Sequence, residues 1–172
     1  MRPGTATATA TAAATAAATA AALQISAAGL ATPARADDPP QQLPITAQWC
    51  LAPQTCIGLE VASTPRQQAM GLQLRPPLPP LRGMWFPYAM PTPARFWMHR
   101  TPAPLDMLFI RNGVVVAIEA HTRPCMHLPC PSYGPAQPVD GVVELAAGQA
   151  EALGIQVGSP ARIGALPGTT YH

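Results

Sequence analysis

Lysine is absent, so all ten basic side chains of this 172-residue chain are arginines. With abundant Ala, Pro and Gly, this is a mark of GC-rich codons and carries no functional weight. Charge of either sign is scarce: Asp, Glu, Lys and Arg together make 10% of the chain. Two of the arginines, Arg2 and Arg35, fall before residue 37, and residues 37–172 hold eight Arg against eight Asp plus Glu. A near-neutral domain with dispersed arginines lacks the basic stripe that nucleic acid demands. It also lacks a polybasic run to hold it on anionic lipid. After residue 36 no apolar run approaches the ~20 residues of a membrane span. No G-x-S-x-G elbow, no H-E-x-x-H pair and no phosphate-cradling loop occurs. These absences give no reason to expect a cofactor, and they remove the commonest hydrolase signatures.

What is present begins with a leader. Arg2 gives a positive start, an Ala/Thr tract runs from Thr5 to Ala22, and a more apolar stretch covers Leu23 to Leu30. Ala34-Arg35-Ala36 then supplies an A-x-A cleavage pattern before Asp37. That order predicts a secretory signal peptide over residues 1–36, and a periplasmic or extracellular destination. The rival reading is a low-complexity tail or a misplaced start codon. No Arg-Arg pair and no Cys at the cleavage point suggest a twin-arginine signal or a lipid anchor.

Residues 37–48 are Pro- and Gln-rich and predict a poorly packed linker. The domain is expected over residues 49–165, with a tail over 166–172. Its signals are short. Cys56–Ser63 reads as a strand. Thr64-Pro65 opens a short helix stopped near Gly71. Met84–Tyr88 and Arg95–His99 read as strands joined by a Pro91/Pro93 turn. Asp106–Arg111 and Val114–Ala120 flank Asn112-Gly113, the strongest short hairpin signal. Residues 121–138 read as a long loop, Val139–Leu145 as a strand, Gly148–Leu153 as a short helix, and Ile155–Ile163 as a last strand or hairpin. The pattern predicts a mainly β, single compact β-sandwich or barrel-like domain with one or two short helices.

Four cysteines, Cys50, Cys56, Cys125 and Cys130, suggest disulfides in an exported chain. Three pairings are open; 50 with 56 and 125 with 130 is preferred because each pair brackets a loop tip. A four-thiolate zinc site is the alternative, but C-x5-C and C-x4-C are looser than zinc-ribbon spacings.

These pieces, in order, make the chain resemble the domain of unknown function 192 family from about Ile57 to Ile163. The residues that carry the resemblance are Thr64-Pro65-Arg66 through Gly71-Leu72 with Arg75, then Gly83-Met84-Trp85-Phe86. Phe96-Trp97-Met98-His99-Arg100-Thr101 follows, running into Pro104-Leu105-Asp106 and Phe109. The tail has Cys125, Cys130-Pro131, Tyr133-Gly134, Glu144-Leu145 and Ala147-Gly148. The sequence departs from the family's usual pattern at Gln73, where Met is common, at His99-Arg100 in place of Lys-Asn, and at Gly158-Ser159 in place of Gly-Asp. The resemblance implies a compact β domain, often exported, and no established activity.

For the segment 95–106, strand alternation sends Phe96 and Met98 one way and Arg95, Trp97 and His99 the other. The candidate ligand-binding set is Arg66, Arg95, Trp97, His99, Thr101, Asp106 and Glu144. Arginine can clamp an anion, Trp97 can form a stacking floor, and the two carboxylates can accept hydrogen bonds. The competing reading is structural: Asp106 and Glu144 cap turns or pair with buried arginines. Two carboxylates could also run glycosidic hydrolysis if their separation suited it. The Cys and His residues near 121–130 could pair as nucleophile and base, but a disulfide explains those cysteines better. Met98-His99 and Met126-His127 offer soft ligands that suit copper, set against core-filling roles for Met84, Met98 and Met107. The expectation is therefore a monomeric, exported, non-enzymatic domain that binds a small ligand or envelope partner. An envelope hydrolase and a copper protein are the alternatives, and no metal residue is assigned.

Overall fold

The computed structural model describes Met1 and residues 39–169, so the expected leader, apart from Met1, lies outside the described residues. The elements run β1 (Ile45–Ala52), β2 (Thr55–Val61), α1 (Pro65–Met70), β3 (Arg82–Thr92), β4 (Phe96–Trp97) and β5 (Leu105–Arg111). They continue with β6 (Val114–Thr122), β7 (Ser132–Tyr133), β8 (Val139–Ala146), α2 (Gln149–Ala152) and β9 (Ile163–Ala165). The domain is mainly β, as the sequence predicts. Seven strands form one sheet in the order β6-β5-β8-β3-β2-β1-β9, and β4 pairs with β7 in a separate two-stranded ribbon. Among the strands of the described residues only β2 and β3 run parallel; the connection between them contains α1.

The large sheet is covered on both faces. Strands β5 (LDMLFIR) and β8 (VDGVVELA) are therefore buried at successive positions, because neither face is left to water. One face packs Trp49, Ile57, Leu59, Trp85, Leu108, Ile110, Val143 and Leu145 beneath Ala150 of α2 and Ile155. The other packs Met84, Phe86, Met98, Leu105, Met107, Phe109 and Val142 beneath Leu72 and Leu78. Met84, Met98 and Met107 are fully buried, which makes them core filler. The sheet does not close into a barrel. Residues 158–161 span the gap between its edges: Gly158 N–H donates to Val115 O (2.8 Å) and Ala161 N–H to Gly113 O (2.7 Å). Trp49 Nε1–H donates to Pro160 O (3.1 Å) from the opposite edge.

Local chemistry accounts for the ends of the elements. Thr64 caps α1, and Gln67 returns a bond to the Thr64 N–H, a capping box read from the Thr-Pro start. Asn112 and Gly113 take φ of 50° and 70°, the pair of positive angles a two-residue type I′ hairpin needs. On β8, Gly141 sits under the Trp85 indole, where a side chain would collide.

Three expectations are corrected. The ordered domain starts before Trp49: β1 begins at Ile45, the Gln41 amide donates to Gln67 O and Gly71 O, and Leu43 N–H donates to Glu60. A Pro/Gln-rich composition hid side-chain-to-backbone anchoring that only the fold supplies. The strand expected over Arg95–His99 shrinks to Phe96–Trp97 and pairs with β7, while β3 extends to Thr92. Pro91 and Pro93 lack the N–H groups needed to fold that segment back onto the main sheet. The stretch Ile155–Ile163 is mostly irregular, and its strand is Ile163–Ala165. Gly158 and Pro160 interrupt any ladder there.

Candidate functional site

Strand register decides which acids can act together. In β5 and β8, Asp106 faces Leu145 and Met107 faces Glu144. Directly opposed residues share a face, so Asp106 and Glu144 lie on opposite faces of the sheet. Both carboxyl oxygens of Asp106 are engaged: Oδ1 accepts from His121 N–H (2.9 Å) and Oδ2 from Ala150 N–H (3.0 Å). Asp106 thus ties the end of β6 to the first turn of α2. Asp106 therefore does not share a site with Glu144, and the two carboxylates are not placed to act together on one bond. Asp106 has a clear structural role there, because the buried Ala150 N–H would otherwise lack an acceptor.

Glu144 is different. It is 4% exposed; among the described residues its carboxyl group has no hydrogen bond and no ion pair, and because no fully buried side-chain oxygen there lacks a partner, its oxygens keep contact with solvent. Burial pushes its pKa up to about 8, since desolvation disfavours the charged form. Near Glu144, Tyr88 is pushed up to about 12, first by burial and then by the Glu144 charge. The contrast on the same face is Glu60. Glu60 opposes Met84 across β2–β3, and Met84 opposes Glu144 across β3–β8, so the two acids lie in one row. Arg75 holds Glu60 in a two-pronged pair (2.7 and 2.8 Å), and Leu43 N–H adds a third bond. One buried acid is neutralised and fully bonded; the other is neither.

Glu144 lines a small pit of about 40 Å³, enclosed by Gln68–Gln73, Phe86, Phe96, Trp97 and Thr101. That is room for about two or three water molecules. The strand alternation expected for Phe96–Met98 holds. Met98 is fully buried and Phe96 packs edge-on against Phe86 (5.1 Å) and Phe109 (6.2 Å). Trp97 points the other way and is 51% exposed, with His99 tilted against its ring at 5.2 Å. The Thr101 hydroxyl donates to His99 O (3.3 Å). Of the seven candidate residues, Trp97, Thr101 and Glu144 meet at the pit and His99 backs Trp97. Arg95 instead donates to Gly134 O (2.6 Å), and Arg66 sits on α1; neither lines the pit.

Gln73 completes the pit and sequence reasoning did not select it. Its amide donates to Ala69 O (2.8 Å), and its Oε1 has no partner among the described residues. The available signal was its departure from the family's usual Met: a polar side chain at a position that is 7% exposed.

The cysteines pair locally, Cys50 with Cys56 and Cys125 with Cys130, which removes the zinc alternative. No cluster of three or more His, Cys, Asp or Glu side chains suited to a metal occurs among the described residues. Two shallower hollows of about 420 and 440 Å³ lie around Gly154 and Ile155, one beside Asp106 and one beside Arg162. Glu144 lines neither.

Comparison with known proteins adds relatives without an activity. Among curated proteins none matches the chain. A solved protein of Sinorhizobium meliloti 1021, provisionally described as a transcription regulator, is 30% identical with a TM-score of 0.60; the match covers 69% of this chain and 91% of that one. A solved protein of unknown function from Novosphingobium aromaticivorans DSM 12444 is 29% identical with a TM-score of 0.59, covering 69% and 83%. Residues 49–163 match the family DUF192, described as an Uncharacterized ACR, and the chain belongs to that family.

Proposed function

We propose that this is an exported binding module that recognises one polar group of a small ligand in the Glu144 pit, with Trp97 at the rim. The observation that carries the reading is Glu144 itself. A carboxyl group largely withdrawn from water costs free energy unless it is bonded, and this one has no partner among the described residues while Glu144 lines an opening that still admits water. A ligand group that bonds it recovers that cost. The rim offers Trp97, half of whose surface is open, as a flat apolar contact. Export is supported by the signal-like leader and by two disulfides, which persist in oxidising compartments. No helix among the described residues is long and apolar enough to cross a membrane. The transcription-regulator description of the Sinorhizobium protein is not carried over. Helices α1 and α2 have six and four residues, short for a groove-reading helix, and the charge is balanced.

The test is Trp97→Ala. Half-exposed Trp97 contributes little to the core, so the variant keeps the wild-type circular dichroism spectrum and melting curve within about 1 kcal/mol. A ligand retained by wild-type protein from envelope extract, seen by native mass spectrometry, should be absent from the variant. Equal retention by both proteins removes the site.

A further inference from the structure

We propose that the pit is the polar subsite of a carbohydrate-binding site, in which a pyranose ring stacks on the open face of Trp97 and lowers one hydroxyl or hydroxymethyl group to Glu144. This rests on the binding reading above and names its ligand class.

Size is the first argument. A space of about 40 Å³ admits a hydroxymethyl group and excludes a whole ring, so the ring must stay at the rim, where Trp97 is. The second argument is the bonding capacity of the lining. Of the residues around the pit only Glu144 ionises, and as a neutral acid it donates one hydrogen bond and accepts another. Gln73 Oε1 accepts, and one of the two N–H donors of its amide nitrogen is committed to Ala69 O. A hydroxyl both donates and accepts, so one group can take the Glu144 proton in a hydrogen bond and give its own to Gln73. A carboxylate ligand finds no cation in the lining. An ammonium group would have to create a buried ion pair with a carboxylate that accepts no hydrogen bond from the described residues, an arrangement whose desolvation offsets its attraction. The third argument is the rim. The C–H face of a saturated ring matches an indole face, and His99 braces that indole from the side.

The experiment is an NMR titration of the oxidised full-length protein with methyl β-D-glucopyranoside, N,N′-diacetylchitobiose, methylammonium, acetate and triglycine. The expected result is saturable shifts of the Trp97 indole N–H, Thr101 and Gln73 with at least one saccharide, and none with the other probes. Glu144→Gln keeps a donor and an acceptor, so it should hold the saccharide within about threefold, whereas Glu144→Leu should weaken it about tenfold or more. Shifts with methylammonium or triglycine but with neither saccharide overturn the ligand class and leave the binding pit standing. Saccharide binding that survives Glu144→Leu unchanged places the ligand elsewhere. Silence with all five probes overturns the saccharide class; whether the pit itself falls is read separately, from retention of the envelope ligand.

Discussion

Three buried acids in one small domain meet burial in three ways. Glu60 is ion-paired, Asp106 is bonded to backbone N–H groups, and Glu144 holds its proton. The last has a measurable consequence. The folded state keeps a proton that the unfolded chain releases above about pH 4.5. The Glu144 contribution to stability is therefore greatest below that pH. It declines as pH rises and levels off above about 8, where both states are ionised. The slope for one proton is about 1.4 kcal/mol per pH unit at its steepest. Glu144→Gln has no proton to lose, so its stability relative to wild type should climb between pH 5 and pH 9 in urea denaturation. A constant difference would mean that Glu144 is ionised in the folded protein and cannot be the donor described above. The sequence selected Asp106 and Glu144 as the acids of interest but could not separate them. Their roles diverge through the β5–β8 register, and no local pattern carries the offset between two strands 27 residues or more apart in the chain.

Elements with local causes were legible, and elements made by distant pairing were not. The Thr64 cap, the Asn112-Gly113 hairpin and the strands around them follow from neighbouring residues. The two-stranded ribbon of Phe96–Trp97 with Ser132–Tyr133 does not, because its partner lies across a proline-rich loop. That ribbon carries the pit wall, and the Cys125–Cys130 loop is laced to it: Cys125 N–H donates to Met98 O (3.1 Å) and Arg100 N–H to Cys125 O (2.9 Å). Cys50 and Cys56, by contrast, face each other within the β1–β2 ladder, which already holds them. Loops this short give each disulfide about 2 kcal/mol in the chain-entropy account. What differs is where order is lost. Replacing Cys125 and Cys130 by Ser should raise amide exchange at residues 97–101 and 123–133 and leave β5 and β8 protected. Replacing Cys50 and Cys56 should leave residues 97–101 as slow as in wild type. Faster exchange at residues 97–101 in the second variant would break the link between the loop disulfide and the pit.

At the scale of the whole molecule, a covered seven-stranded sheet holds the core and one face bears the pit. The N-terminal approach is part of that face: Gln41 grips the end of α1 at Gln67 O and Gly71 O, beside residues that line the opening. Composition alone placed the domain boundary too late because these bonds use side chains that look like linker. If the leader ends at Ala36, cleavage leaves only the four residues 37–40 ahead of the anchoring Gln41, and the mature chain starts close to its folded part. Protein recovered from the envelope of an exporting host should then have the mass of a chain beginning at Asp37, less the four hydrogens that two disulfides remove. Reduction should restore those four mass units without changing the N-terminus. An uncut chain with all four thiols free, recovered from the cytoplasm, would place the protein where disulfides do not persist. The export half of the proposed function would then fail, while the pit and its ligand would remain open to the titration.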